Sequence, residues 1–185
     1  MIKAIITELN AEAAAEVGEL WQKLYEACGL KAIYTIPVPH FTWFAADELD
    51  VAEAKTILTR IATHQRSLTI HTFGLGIFAG NLPVIYLPMV KSLPMYTLHK
   101  QIWEEIQPHS KNPRLYYSPK LWLPHITLAL KDLTHENLSC AVDALAFDPV
   151  EMYIVADNLA IVEHEDEKVG KTLETFLFND NRGRQ

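Results

Sequence analysis

Apolar residues recur at helical spacing in four segments of the chain, each bounded by residues that begin or end helices. In the first segment, Val17, Leu20, Trp21 and Leu24 form one stripe before Gly29. Asp50, Ser92 and Thr134 can cap the next three. The predicted helices are 10–28, 50–64, 92–108 and 134–147.

Between these helices, β-branched and aromatic residues are bounded by turn residues, a pattern typical of strands. The predicted strands are 34–44, 68–78, 82–90, 121–130, 152–162 and 172–178. Helices alternate with groups of strands, which favours an α+β fold in which helices cover the outer faces of antiparallel sheets.

The second half of the chain repeats the order of the first. Pro39-His40-Phe41-Thr42 precedes Pro124-His125-Ile126-Thr127 by 85 residues (125 − 40 = 85), and each motif is followed by a helix and two strands. A repeated order at a near-constant offset predicts an internal duplication. We therefore expect one domain over 1–185 with two lobes, formed from about 34–90 and 121–178, whose two sheets face a central cleft.

The composition of the chain limits the kinds of partner that the protein is expected to bind. The net charge of −7 and the pI of about 5.6 disfavour long duplex nucleic acid, whose binding depends on basic residues. A small nucleotide or an RNA terminus needs only a local site and stays possible. No uncharged apolar run reaches the roughly 18 residues of a spanning helix, so no membrane association is expected. Nothing in the sequence indicates an obligate protein partner.

The chain has two cysteines, Cys28 and Cys140, and neither belongs to a C-x-x-C pair. This pattern favours two buried thiols over a disulfide framework or a zinc ribbon. The N-terminus does not have the pattern of a secretory signal peptide. Together these features predict a cytoplasmic protein.

The two His-x-Thr motifs carry the candidate chemistry. Side chains alternate along a strand, so His40 and Thr42 share one face, as do His125 and Thr127. Displacement at phosphorus needs one base and one acid, and histidine serves in either role near neutral pH. The threonine hydroxyls can hold the phosphate. A single His-x-Thr is often structural, but two copies in equivalent places favour catalysis.

A metal site is the main chemical alternative for clustered histidines. Neither motif has the His-x-x-x-His or carboxylate spacing of such a site, so no metal and no cofactor are expected.

The stretch 39–42, followed by 68–78 and by Trp122 to Leu128, resembles the two-histidine (2H) phosphoesterase superfamily, and within it the 2'-5' RNA ligase-like proteins. The resemblance implies a bilobal duplicated fold and metal-independent hydrolysis of 2',3'-cyclic or related phosphodiesters. It also implies that His40 and His125 are the acid and base and that Thr42 and Thr127 bind phosphate.

Other residues are weaker candidates. Strand alternation puts His71 and Phe73 on the face predicted to line the cleft, and Tyr153 occupies a similar place in the second repeat; all three can contact a base or ribose. Trp43 and Tyr117 can stack on a base. A partly exposed strand position explains the first three nearly as well, and aromatic residues near the end of a sheet, such as the last two, are more often packing residues. Arg114 and Lys120 are the nearest cations to the second motif, and the remaining histidines, including His99, are expected at the surface.

The leading hypothesis is a phosphodiesterase that hydrolyses 2',3'-cyclic nucleotides or RNA-terminal cyclic phosphates by paired-histidine acid–base catalysis. One alternative is a 2'-5' RNA ligase, which uses the same site in another direction. The other is a binding module that recognises a nucleotide or an RNA end without turning it over.

Overall fold

The computed structural model describes residues 2–148, 150–165 and 168–179. The helices in this part of the chain are α1 (Ala11–Cys28), α2 (Val51–His64), α3 (Leu93–Ile106) and α4 (Leu138–Ala146). The strands are β1 (Ile2–Glu8), β2 (His40–Leu49), β3 (Leu68–His71), β4 (Gly76–Phe78), β5 (Val84–Pro88), β6 (Ser110–Pro113), β7 (His125–Ala129), β8 (Tyr153–Ala156), β9 (Asn158–Glu165) and β10 (Lys168–Leu177).

The helix caps follow the local sequence. The Asp50 side chain accepts a hydrogen bond from the Glu53 backbone N–H, and the Ser92 hydroxyl accepts one from the Met95 N–H. Gly29 ends α1 in a left-handed conformation with φ of 71°, which glycine adopts without strain. Three of the four predicted helices thus begin within a residue of their expected start, whereas α4 begins four residues after Thr134.

All strand pairs are antiparallel, and one sheet has the order β10-β9-β1-β2-β7-β5-β4, with β6 pairing to β2. Strands β3 and β8 form a second ladder. An isolated bridge between Thr72 and Met89 joins this ladder to the end of β5. The predicted α+β class is confirmed, and β1 and β6 are strands that the sequence analysis did not predict.

Two groups of strands meet at a narrow junction. The first lobe contains β10, β9, β1 and β2, and the second contains β7, β5, β4, β3 and β8. Strand β2 pairs with β7 only at Phe41 and Ile126. Each lobe therefore contains strands from both halves of the chain, because β8 joins the second lobe while β9 and β10 join the first. The repeat over 34–90 and 121–178 stays a prediction.

The main core lies between the sheet and the helices, and it includes Phe41, Trp43, Phe44, Trp122 and Ile126. Helix α2 packs on β9 and β10, whereas α1 packs on β7 and on α4. No helix in the described part of the chain is long and apolar enough to cross a membrane.

The prediction of two buried thiols was wrong. Cys28 at the end of α1 forms a disulfide with Cys140 in α4, across a sequence separation of 112 residues. The two helices pack side by side, which brings the sulfur atoms together. Spacing along the chain gave no sign of this pairing, because it depends on tertiary packing.

Candidate active site

The two His-x-Thr motifs meet where β2 pairs with β7. Phe41 lies directly opposite Ile126, and both side chains are buried in the core. Alternation turns the flanking His40, Thr42, His125 and Thr127 to the other face, where all four are partly exposed. Continuing the same register sets Thr42 across from His125 and His40 across from Thr127. The structure thus brings together the four residues that the sequence analysis singled out.

Both motif strands bend in the same place. Strand β2 has one extra residue opposite Ile5 and Ile6 of β1, and that residue is Trp43. Strand β7 has one extra residue opposite Ile85 and Tyr86 of β5, and that residue is Leu128, 85 positions later. A bulge re-aims the neighbouring side chains, so matched bulges after Thr42 and Thr127 give the two motifs the same local geometry.

The two imidazoles are anchored in the same way. His40 Nδ1 lies 3.0 Å from the Val38 carbonyl oxygen, and His125 Nδ1 lies 2.7 Å from that of Leu123. A carbonyl only accepts, so Nδ1 donates in both rings, and a neutral ring then carries its lone pair on Nε2. This tautomer offers Nε2 for proton transfer.

Aromatic rings surround the second histidine. Phe78 and Tyr86 contact His125 edge to face, with ring centroids 4.9 and 5.2 Å away. Burial lowers the pKa of His125 below its usual 6.5, and the hydrogen bond to Leu123 offsets part of that effect. A neutral imidazole is therefore favoured here.

Two buried indoles hold the backbone of the motif threonines. Trp122 Nε1 donates to the Thr42 carbonyl, and Trp21 Nε1 donates to the Thr127 carbonyl, each at 3.0 Å. The apolar spacing of the sequence predicts Trp21 on the buried stripe of a helix but does not predict this contact with Thr127. The available signal was the need of a buried indole N–H for an acceptor.

The side chain of Thr42 forms a hydrogen bond with the side chain of Tyr117. Burial and the nearby Tyr116 raise the pKa of Tyr117, and the bond to Thr42 lowers it by less. Tyr117 is therefore a neutral phenol beside Thr42. In the second lobe a tyrosine is also adjacent, because Tyr86 pairs with Thr127 across β5 and β7.

His99 was predicted at the surface, and this was wrong. Its ring is fully buried and stacks on Trp122 with centroids 3.7 Å apart. Nε2 lies 3.1 Å from the Trp43 carbonyl and 2.9 Å from that of Tyr117, whereas Nδ1 is buried without a hydrogen-bond partner. Burial lowers its pKa to about 4. Its spacing from Met95 and Ile102 would have placed it on the buried stripe of α3.

Trp43 cannot serve as a base-stacking residue. It is fully buried, its ring packs against Phe41 and Trp122, and its Nε1 donates to the Thr7 hydroxyl at 2.8 Å. It is a core residue because strand alternation puts it on the same face as the buried Phe41. Arg114 forms an ion pair with Asp47 at 2.7 Å, and Lys120 is exposed.

His71 and Tyr153 lie opposite each other on β3 and β8. Ile70 and Thr72 are buried, so His71, Phe73 and Tyr153 face the other side of the ladder.

No group of three or more His, Cys, Asp or Glu that could hold a metal occurs within the described ranges.

The sequence model of the 2'-5' RNA ligase superfamily matches residues 9–168. Comparison with curated proteins gives no match.

Three solved structures are similar over nearly the whole chain. TT0787 of Thermus thermophilus is 19% identical, with a TM-score of 0.69 and complete coverage of both chains. LigT of E. coli, complexed with NADP+, is 15% identical with a TM-score of 0.60 and covers 95% of this chain and 96% of its own. Usb1 of Kluyveromyces marxianus, with uridine monophosphate, is 12% identical with a TM-score of 0.53 and covers 96% and 98%. At these identities the likeness is one of fold.

Proposed function

The chain belongs to the 2'-5' RNA ligase superfamily of two-histidine phosphoesterases, and on that premise we propose that it hydrolyses 2',3'-cyclic nucleotides or RNA-terminal cyclic phosphates. His40 and His125 are the acid–base pair, and Thr42 and Thr127 bind the phosphate. The observation that carries the proposal is the pairing of Phe41 with Ile126, which gathers these four side chains on one face.

The reaction balances with one water molecule. Water attacks phosphorus in line with the ester oxygen that leaves, and one imidazole removes a proton from the water. The other imidazole protonates the departing 2' or 3' oxygen. The product has one phosphomonoester and one free hydroxyl. Anchored Nδ1 atoms support this scheme, because they fix which ring nitrogen exchanges the proton.

The threonines complement the histidines. Their hydroxyls can donate to the nonbridging oxygens and stabilise the negative charge of the transition state. The indoles of Trp122 and Trp21 fix the threonine backbones, which supports a preorganised phosphate site.

The molecules bound in structures of the structural neighbours are nucleotides, as are the proposed substrates. LigT of E. coli was crystallised with 3'-AMP and with NADP+, and Usb1 of Kluyveromyces marxianus with uridine monophosphate. For this chain we propose a small nucleotide or an RNA terminus as the ligand and the cytoplasm as the compartment.

The test is to incubate the protein with 2',3'-cyclic mononucleotides in excess chelator. We expect turnover, and a loss of at least about 100-fold in His40→Ala and in His125→Ala. His64→Ala is the matched control, since His64 is exposed on α2 and its Nδ1 bonds to the Arg60 carbonyl of the same helix. Absence of turnover, or turnover unaltered by both active-site substitutions, would contradict the proposal.

A further inference from the structure

In the second lobe, a row of residues that begins at His125 runs perpendicular to the strands. His125 lies opposite Pro88, and the Phe73 N–H donates to the Pro88 carbonyl at 3.0 Å. Continuing the pairing of β3 with β8 sets Phe73 opposite Glu151. These side chains share the face that carries His125. On each strand, a neighbouring residue in the sequence is buried in the core, and alternation turns the row to the opposite face.

Besides Phe78 and Tyr86, which contact His125, three further aromatic side chains lie on this face, and we call His71, Phe73 and Tyr153 the aromatic platform. The rings of His71 and Tyr153 stack, with centroids 4.6 Å apart and planes 10° from parallel. Phe73 is 63% exposed and Tyr153 is 71% exposed. Large rings left open to solvent on the face of a catalytic site are suited to stacking on a ligand ring.

The first lobe has no such rings in the equivalent row. His40 lies opposite Glu8, whose backbone is bonded to the side chain of Asn158, and Asn158 lies opposite Leu177. The row thus contains a carboxylate, an amide and an aliphatic side chain. Within these two rows, only the second lobe offers ring faces, so a stacked ligand group would extend over that lobe.

Distance decides which part of a substrate reaches the platform. Tyr153 is three strands from His125 and two residues along β8 from the row that begins at His125, or about 16 Å at about 4.8 Å per strand and about 3.4 Å per residue. Four bonds separate the phosphorus of a cyclic nucleotide from its own glycosidic nitrogen, which is about 6 Å at about 1.5 Å per bond. The terminal base therefore falls short of Tyr153, and the base of the preceding nucleotide is the next ring available.

The charge beside the platform favours a base over a phosphate. Glu151 Oε2 lies 3.9 Å from His71 Nε2, and its side chain is 58% exposed. A carboxylate repels phosphate but accepts hydrogen bonds from the amino groups of adenine, cytosine or guanine.

We propose that the stacked His71–Tyr153 pair of the aromatic platform binds the nucleobase that precedes the terminal nucleotide, so that the substrate is an oligonucleotide end of at least two nucleotides. This inference rests on the proposed function, because it assumes a phosphate held between His40 and His125.

The experiment compares adenosine 2',3'-cyclic phosphate with the dinucleotide ApA that ends in a 2',3'-cyclic phosphate. We expect the kcat/KM of the dinucleotide to exceed that of the mononucleotide by about tenfold, the scale of one stacked base. Tyr153→Ala should lower this ratio about tenfold, and Tyr153→Trp should restore it. Phe147→Ala, which removes an exposed ring just after α4, is the matched control and should leave the ratio unchanged.

A wild-type ratio near one, or a ratio unaffected by Tyr153→Ala, would overturn the inference. Failure of the wild-type protein to turn over either substrate would instead contradict the proposed function. In that case a dinucleotide 3'-phosphate with 2-aminopurine as its first base tests the platform directly. Fluorescence quenching that is lost in Tyr153→Ala supports the platform, and equal fluorescence in both proteins overturns it.

Discussion

Phe41 pairs with Ile126 at the point where β2 meets β7, and this pair joins the two lobes at their His-x-Thr motifs. Because both side chains are buried, the residues on either side of each are turned away from the core together. The geometry of the candidate site is therefore fixed by the packing beneath it.

Burial beside Phe78 and Tyr86 lowers the pKa of His125, because it disfavours the charged ring. We expect the titration midpoint of His125 to lie below the usual pKa of histidine, 6.5. An NMR titration of its Cε1 proton measures this, with the signal assigned by its loss in His125→Gln. A midpoint at or above pH 6.5 would contradict the prediction. One limb of the pH–activity profile should lie below pH 6.5 for the same reason.

The buried His99 should make the fold sensitive to acid. Its pKa is about 4 in the folded chain and about 6.5 when unfolded, so the unfolded state binds the proton more readily. Its contribution to stability is fully present above pH 6.5 and is lost as the pH falls towards 4, by about 3 kcal/mol in all. Urea unfolding at pH 7 and pH 4.5 measures the loss. His99→Gln should show a smaller difference between the two pH values; an equal difference would exclude His99 as its source.

Gly76 makes room for the tyrosine that packs on His125. A Cβ at this position would overlap the Tyr86 ring, which itself stacks on Phe78 with centroids 4.0 Å apart. We expect Gly76→Ala to destabilise the fold by about 1–3 kcal/mol and to lower activity, because the displaced ring contacts His125. Thermal unfolding and kcat measure the two effects.

Gly18→Ala is the matched control for this substitution. A Cβ at Gly18 meets nothing within 4 Å, and the residue lies inside α1. This change should stabilise the protein by about 0.5–1 kcal/mol, since alanine favours a helix over glycine. Equal effects of the two substitutions would contradict the steric role of Gly76.

The disulfide between Cys28 and Cys140 should contribute about 2–4 kcal/mol to the free energy of unfolding, because it closes a long loop in the unfolded chain. Urea unfolding with and without a reductant measures this contribution. A Cys28→Ser, Cys140→Ser double variant should not respond to the reductant. Equal stability of the wild-type protein in both conditions would contradict the prediction. Such a bond is rare in the reducing cytosol, so its redox state in cells is a direct check on the compartment.

Much of the secondary structure was predictable because it is encoded locally. The capping residues Asp50 and Ser92 and the stop at Gly29 act within one helical turn, and the structure has helices at those places. Strands β1 and β6 were missed, because each is completed by pairing with the distant β2.

The sequence by itself determined that two equivalent His-x-Thr motifs lie on strands with their histidines and threonines on one face, since alternation along a strand is local. Tertiary structure decided what surrounds them: the stacking of His99 on Trp122, the carbonyl oxygens that accept from the indoles of Trp21 and Trp122, and the disulfide. Each of these depends on contacts between elements distant in the chain. Periodicity shows which face of an element is apolar, but only the folded chain selects the partner that covers it.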